Sequence, residues 1–188
     1  MENTVTRKDF FKQAFGIFKK EVDSGIDLEN NKTIPFILPP GVENIDSLLK
    51  TCDQSYECVA ACPHEAIRVW REDEHKEFYG FPVIEPRKKP CYECSDYPCI
   101  TACPSGGLSI EHKDKKMGTA VIHKSICFAF QSHFCHTCYN NCPYPEKAIK
   151  FDTNNRPVII EESCTGCGIC TNTCPTETPA ITINLYKK

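Results

Sequence analysis

The sequence has no long hydrophobic run: its longest uninterrupted apolar stretches span a few residues, far short of the roughly 20 needed to cross a bilayer. It has no excess of either charge. A formal net charge of −3 with mixed signs throughout excludes a basic nucleic-acid surface and a disordered acidic tail. No hydrolase triad, phosphate-binding glycine loop or dinucleotide fingerprint is present. The 188 residues allow one medium domain or two small ones, and a 40% hydrophobic content is enough for a modest core. What the chain has in excess is cysteine, at 15 residues.

Cysteine at this density has three ordinary explanations: a disulfide framework, structural zinc, or iron-sulfur clusters. The count is odd, and the cysteines sit in tight runs two or three residues apart, where neighbours bridge poorly. Zinc sites show pairs of cysteines totalling four ligands. Here there are instead four runs, each closed by Cys-Pro: Cys62-Pro63, Cys103-Pro104, Cys142-Pro143 and Cys174-Pro175. Their first cysteines, Cys52, Cys91, Cys127 and Cys164, recur at intervals of 39, 36 and 37 residues, which marks an internal repeat.

The fourth run, Cys164-x2-Cys167-x2-Cys170-x3-Cys174-Pro175, has the spacing of bacterial 4Fe-4S ferredoxins. Three thiolates on a tight turn each reach a different iron of one cubane, and Gly166 and Gly168 let the backbone come close. The last cysteine of such a run ligates the neighbouring cluster, so runs work in pairs and four runs hold up to four clusters. The second run (Cys91, Cys94, Cys99, Cys103) and the third (Cys127, Cys135, Cys138, Cys142) carry insertions between ligands. An insertion lengthens a loop at small entropic cost, so cluster binding is expected to survive it.

The first run keeps Cys52, Cys58 and Cys62 in register but has Ser55 where the second ligand belongs. Three outcomes are open: a 3Fe-4S cluster, a 4Fe-4S cluster with an oxygen ligand or open coordination at one iron, or no cluster. The reading taken is three 4Fe-4S clusters plus a fourth, altered cluster at the Cys52/Ser55/Cys58 site, tuned in charge and potential by the lost thiolate. Asp53 also offers oxygen, although from its place beside Cys52 it has poorer reach than Ser55. The six histidines are assigned no role, His136 being read as solvent-facing, and Tyr92, Tyr97, Phe128, Phe130, Phe134 and Tyr139 as shields for the clusters.

Short strands rich in branched residues follow each run, at 66–70, 108–110, 148–151 and 180–183. Others precede the second, third and fourth runs, at 81–84, 120–122 and 158–160, reached through polar turns such as residues 152–155. The pattern predicts hairpins beside the clusters and an α+β fold of duplicated bacterial ferredoxin-like modules with cluster-binding helices. The division is a leader at 1–30, a Pro-rich connector at 31–50, and a four-run domain at 51–188 with runs at 52–63, 91–104, 127–143 and 164–175. Phe11, Phe15, Phe18 and Val22 share one helical face, which packs on its own domain or docks a partner. Residues 6–12 are similar to a twin-arginine export signal with Lys8 in the second basic position, yet only residues 14–18 after it are apolar, so the expectation is a retained leader and a cytoplasmic protein. The alternative is the periplasm.

Across 36–184 the residues resemble the NapG/MauM-type and NapF-type polyferredoxins associated with periplasmic nitrate reductase and related redox systems. The most specific part is residues 127–143, with their long first spacing and aromatic-Gln segment. Pro39-Pro40-Gly41, Pro98-Cys99 and Met117-Gly118 are also similar. The resemblance implies a non-catalytic electron carrier between a quinol-linked donor and a terminal reductase, a cytoplasmic maturation factor for a molybdenum oxidoreductase, or the cluster-bearing subunit of a larger oxidoreductase. Analogy with related four-cluster proteins pairs the first run with the fourth and the second with the third, although the hairpin linkers permit other pairings. That choice puts Cys174 with Cys52 and Cys58, Cys62 with the fourth run's first three cysteines, Cys142 with those of the second run, and Cys103 with those of the third.

Overall fold

A computed structural model of the chain describes residues 35–185. The proposed leader at 1–30, with its amphipathic face and its export-like segment, lies outside the described residues. Among those described, no helix is long and apolar enough to cross a membrane.

Among the described residues the architecture is a set of short helices and three separate two-stranded antiparallel sheets, a mixed α and β fold. Helix α1 (Ile45–Thr51) starts where Asn44 accepts a hydrogen bond from the Ser47 amide at 2.9 Å, and it buries Leu48 fully. It ends at Cys52, the first ligand position. Four helices of four or five residues, α2 (Glu57–Ala60), α3 (Pro98–Thr101), α4 (Thr137–Asn140) and α5 (Ile169–Thr173), each carry the cysteine at the third ligand position of one run. Their brevity follows from the Cys-Pro closure: Pro175 disfavours helical backbone at Cys174, which takes φ −59 and ψ 124.

Strands β1 (Ile67–Val69) and β2 (Pro82–Ile84) form a hairpin between the first two runs, pairing Ile67 with Ile84. Strands β4 (Ile149–Phe151) and β5 (Pro157–Ile159) do the same between the last two, with Ile149 opposite Ile159. The turn at 152–155 closes as its composition predicts: Asp152 Oδ1 accepts from the Asn154 and Arg156 amides at 2.8 and 2.9 Å, and Asn155 takes φ +57. One expected hairpin does not form. Strand β3 (Thr119–Ile122), ahead of the third run, pairs with β6 (Ile181–Asn184) after the fourth. Residues 108–110 are not a strand; Ser109 instead donates its amide to Gly41 O at 2.8 Å, and a 3-10 turn follows at Ile110–His112. The partner of this segment is thus the chain ahead of the first run.

That same chain, within the Pro-rich stretch, is part of the core. Ile37 exchanges two 2.8 Å backbone hydrogen bonds with Ile84, and Phe36 packs on Trp70 and Phe78 with ring centroids 4.6 and 5.0 Å apart. Phe36 and Phe78 are almost wholly buried, each worth roughly 1.5–3 kcal/mol.

The halves built on runs one and two and on runs three and four meet along the fourth run. Cys91 donates its amide to Cys167 O at 3.0 Å, Met117 donates to Thr165 O at 2.9 Å, and Gly168 lies so close to Pro86 that a Cβ would stand 2.5 Å from the Pro86 Cβ. Arg87 spreads its guanidinium over the carbonyls of Thr171, Asn172, Cys174, Thr176 and Glu177, and the Asn172 amide returns hydrogen bonds to Arg87 O and Lys88 O. Arg87→Ala is therefore expected to weaken the junction by about 1–2 kcal/mol, most of the fan being solvent-exposed. Hydrogen exchange at the Cys91 and Met117 amides reads this as lost protection. Arg87→Lys should restore only part of it, because a compact ammonium cannot span the same acceptors.

Candidate iron-sulfur sites

The cysteines face four hollows, mostly apolar in lining except for the first. The first is lined by Cys52, Cys58 and Cys103 together with Asp53 and Ser55. The second is lined by Cys62, Cys91, Cys94 and Cys99. The third takes Cys142, Cys164, Cys167 and Cys170, and the fourth Cys127, Cys135, Cys138 and Cys174, with Cys138 also reaching the wall of the third. Every cysteine placed at a ligand position by its spacing thus faces one of these hollows. None is in a disulfide.

This grouping corrects the pairing that analogy implies. Cys174 joins the third run and not Cys52 and Cys58; Cys103 joins the first run; Cys62 joins the second; Cys142 joins the fourth. The reason is mechanical. A helix of four residues advances about 6 Å, so a closing cysteine reaches only a run folded directly against its own. The hairpins β1–β2 and β4–β5 fold the second run onto the first and the fourth onto the third.

The local backbone explains how each run turns its sulfurs inward. In the fourth run Gly166 (φ +78) and Gly168 (φ +86) flank Cys167, and the same left-handed twist recurs at Glu93 and Tyr97 in the second run and at Gln54 and Tyr56 in the first. Backbone amides then point at sulfur. Ala66, Leu108 and Ala180 donate to Cys62, Cys103 and Cys174 Sγ at 3.3, 3.4 and 3.3 Å, and Ala120 donates to Cys164 Sγ at 3.5 Å. Such bonds stabilise negative charge on sulfur and tune a cluster's potential.

Burial opposes bare thiolates. It pushes the Cys58, Cys91 and Cys138 thiols up to about 12 and those of Cys99 and Cys167 to about 11, with neighbouring cysteines adding to the effect. Iron offsets that penalty, since ligation needs the deprotonated sulfur and releases its proton. Among the described residues, no three Cys, His, Asp or Glu side chains converge tightly enough to hold a single ion. The sulfurs instead surround a space, an arrangement that suits a group of several atoms held at its corners.

The neighbours of each sulfur also give the order of the sites. Cys62 and Cys103 are exchanged between the first and second sites, the Cys91 amide of the second bonds Cys167 O of the third, and Cys138 of the fourth lines the wall of the third. Glu93, where the second and third sites meet, accepts a hydrogen bond from Thr165 Oγ1 at 3.1 Å, and burial raises its carboxyl above the usual range. Sequence reasoning missed Glu93 and Arg87. Only the loss of glycine at a ligand-turn position hinted at the first, and nothing pointed to the second.

Two expectations about aromatic residues change. Phe134 is 86% exposed and shields nothing. His136 is not solvent-facing: its ring lies between Phe134 and Phe151, 4.2 and 4.1 Å from their centroids, with Nε2 buried and unpartnered. Tyr92 is half exposed but does line the second hollow, stacked on His64 at 4.5 Å.

A family model described as a 4Fe-4S dicluster domain matches residues 51–107, which span the first two runs, and 133–178, which span the last three cysteines of the third run and all of the fourth. Ferredoxin-type protein NapG of Escherichia coli (strain K12) is 31% identical over 191 residues, covering 94% of this chain and 82% of its own length. The chain belongs to the NapG/MauM family of ferredoxin-type proteins. As a NapG/MauM-type ferredoxin it carries 4Fe-4S clusters and serves in electron transfer. Another member, the methylamine utilization ferredoxin-type protein MauM of Paracoccus denitrificans, is 34% identical over 73% of this chain and 66% of its own. The polyferredoxin-like subunit of the aliphatic sulfonate oxidoreductase of Pyrococcus furiosus is 31% identical over 65% and 66%.

Proposed function

We infer that this NapG/MauM-type ferredoxin is a four-site relay in which electrons pass between protein redox partners through clusters strung in the order first, second, third, fourth. The carrying observation is the exchange of closing cysteines within each half, together with the Cys91–Cys167 backbone hydrogen bond that joins the second site to the third. Each half is then one two-cluster module of a duplicated ferredoxin-like domain spanning 51–188. Cys62, Cys91, Cys94 and Cys99 hold the second cluster; Cys142, Cys164, Cys167 and Cys170 the third; Cys127, Cys135, Cys138 and Cys174 the fourth. Cys52, Cys58 and Cys103 hold the first, one thiolate short. The clusters supply one-electron storage. The protein supplies the fixed spacing, the amide dipoles on sulfur and, at the second, third and fourth sites, apolar walls that keep water away.

Pulse reduction followed by rapid-freeze paramagnetic resonance tests the relay. An electron delivered at one end should appear on the clusters of both halves within one chain, at a rate independent of protein concentration. Redistribution that scales with concentration would mean that the halves exchange electrons only between molecules.

A second reading has one observation in its favour: the relative from Pyrococcus furiosus is itself the polyferredoxin-like subunit of an oxidoreductase. Read as a subunit of that kind, this chain should co-purify in fixed ratio with a catalytic chain. A free carrier should not.

A further inference from the structure

The first site differs from the others at one corner. Ser55 stands there, and yet the loop keeps the shape of a ligand turn. Gln54 (φ +57) and Tyr56 (φ +63) hold the left-handed backbone on either side of Ser55, as Gly166 and Gly168 do around Cys167. For residues with a Cβ this conformation costs roughly 1–2 kcal/mol each, and no glycine is present on either side to avoid it.

Packing holds it instead. The Gln54 amide lies over Gly80, where a Cβ would stand 3.1 Å from Gln54 Nε2, and Gly107 lies close enough to Cys52 that a Cβ would stand 3.4 Å from its Cα. The Asp53 carboxylate accepts the Ser55 amide at 3.1 Å, and Ser105 lines the same hollow. Ser55 and Asp53 are exposed, whereas Cys167, the equivalent of Ser55 in the fourth run, is 8% exposed. The corner is thus shaped, polar and open to solvent. Its oxygen is a hard donor in a place where iron-sulfur chemistry favours thiolate.

Resting on the reading that a cluster occupies this site, we propose that the Ser55 corner is an exchangeable coordination position, at which a small thiol from solution replaces oxygen on one iron of the first cluster. The iron–oxygen bond breaks as the iron–sulfur bond forms, and the thiol's proton passes to the departing oxygen. No electron is transferred in the exchange. Asp53 is a positioning residue, its carboxylate fixing the Ser55 backbone through the amide, and Asp53 and Ser105, both on the wall of the hollow, are placed to hydrogen-bond polar groups of the incoming molecule. The other sites offer no such place, each corner being filled by a cysteine.

The test uses the anaerobic holoprotein with 2-mercaptoethanol as the probe, read by Mössbauer and paramagnetic resonance spectroscopy and by iron content. Added thiol should change the signal of one iron subsite in one cluster of the parent chain. Ser55→Cys should abolish the response while leaving an ordinary cubane, and Asp53→Ala should weaken thiol binding several-fold without loss of iron. Cys58→Ala separates the two levels of the argument. If it removes no iron, the first site holds no cluster and the four-site reading itself fails. If it removes iron but the parent spectrum ignores thiol, or responds equally in Ser55→Cys, the exchangeable position is wrong while the relay stands. A three-iron signal that survives added ferrous iron also overturns it, since the corner then has no metal to bind.

Discussion

Replacing Cys174 with alanine is expected to remove the cluster of the fourth site and to leave the spectrum of the first site as it is in the parent chain. Cys174 follows the fourth run in sequence but lines the hollow of Cys127, Cys135 and Cys138. Its sulfur accepts the Ala180 amide at 3.3 Å and sits 3.0 Å from Thr176 Oγ1, contacts that belong to the second half alone. Loss of one of four thiolates from a buried site should convert the cluster to an altered form or abolish it. Iron per chain then falls by one iron or by one cluster. The mirror substitution, Cys103→Ala, should do the same to the first site, which already lacks one thiolate and is the more vulnerable for it. Signals lost from the first site in Cys174→Ala would restore the pairing that analogy implied and undo the sequential one.

The second large effect is expected at Gly166. Its φ of +78 is costly for any residue with a Cβ, and a Cβ there would overlap the Gly118 backbone nitrogen and stand 2.5 Å from the Gly118 oxygen. Backbone cannot step aside as a flexible side chain does, because Gly118 lies beside Met117, whose amide is tied to Thr165 O. Strain and overpacking together come to about 2–5 kcal/mol for Gly166→Ala. The expected readout is a protein that loses iron from the third site and melts at lower temperature. Gly106→Ala is the control: φ is similarly positive at +73, but nothing lies within 4 Å of the added Cβ. It should cost only the conformational part, about 1–2 kcal/mol, and keep its iron.

Much of this was legible in the sequence because the signals are local. The Cys-x2-Cys turns, the glycines beside Cys167, the Cys-Pro stops and the Asp152–Asn155 turn each encode their geometry within a few residues. What needed the structure was non-local. Spacing alone is the same whichever runs are paired, and the choice is made by which hairpins close. Residues 108–110 have strand composition, but their partner at Gly41 gives one hydrogen bond and no ladder. Arg87 has no pattern around it that foretells a role, since its acceptors lie 84 to 90 positions further on. Phe134 illustrates the opposite error: hydrophobicity near a ligand suggested shielding, whereas its loop carries it outward beside His136.

The most direct measurement of the central claim is iron, acid-labile sulfide and zinc per chain in protein purified without air, with the reduced sample examined by paramagnetic resonance. The account predicts a brown protein with iron and sulfide for three cubanes and a fourth, altered cluster, and a reduced spectrum broadened by interaction between neighbouring clusters. A colourless protein holding zinc, or iron sufficient for one pair of sites only, would contradict it.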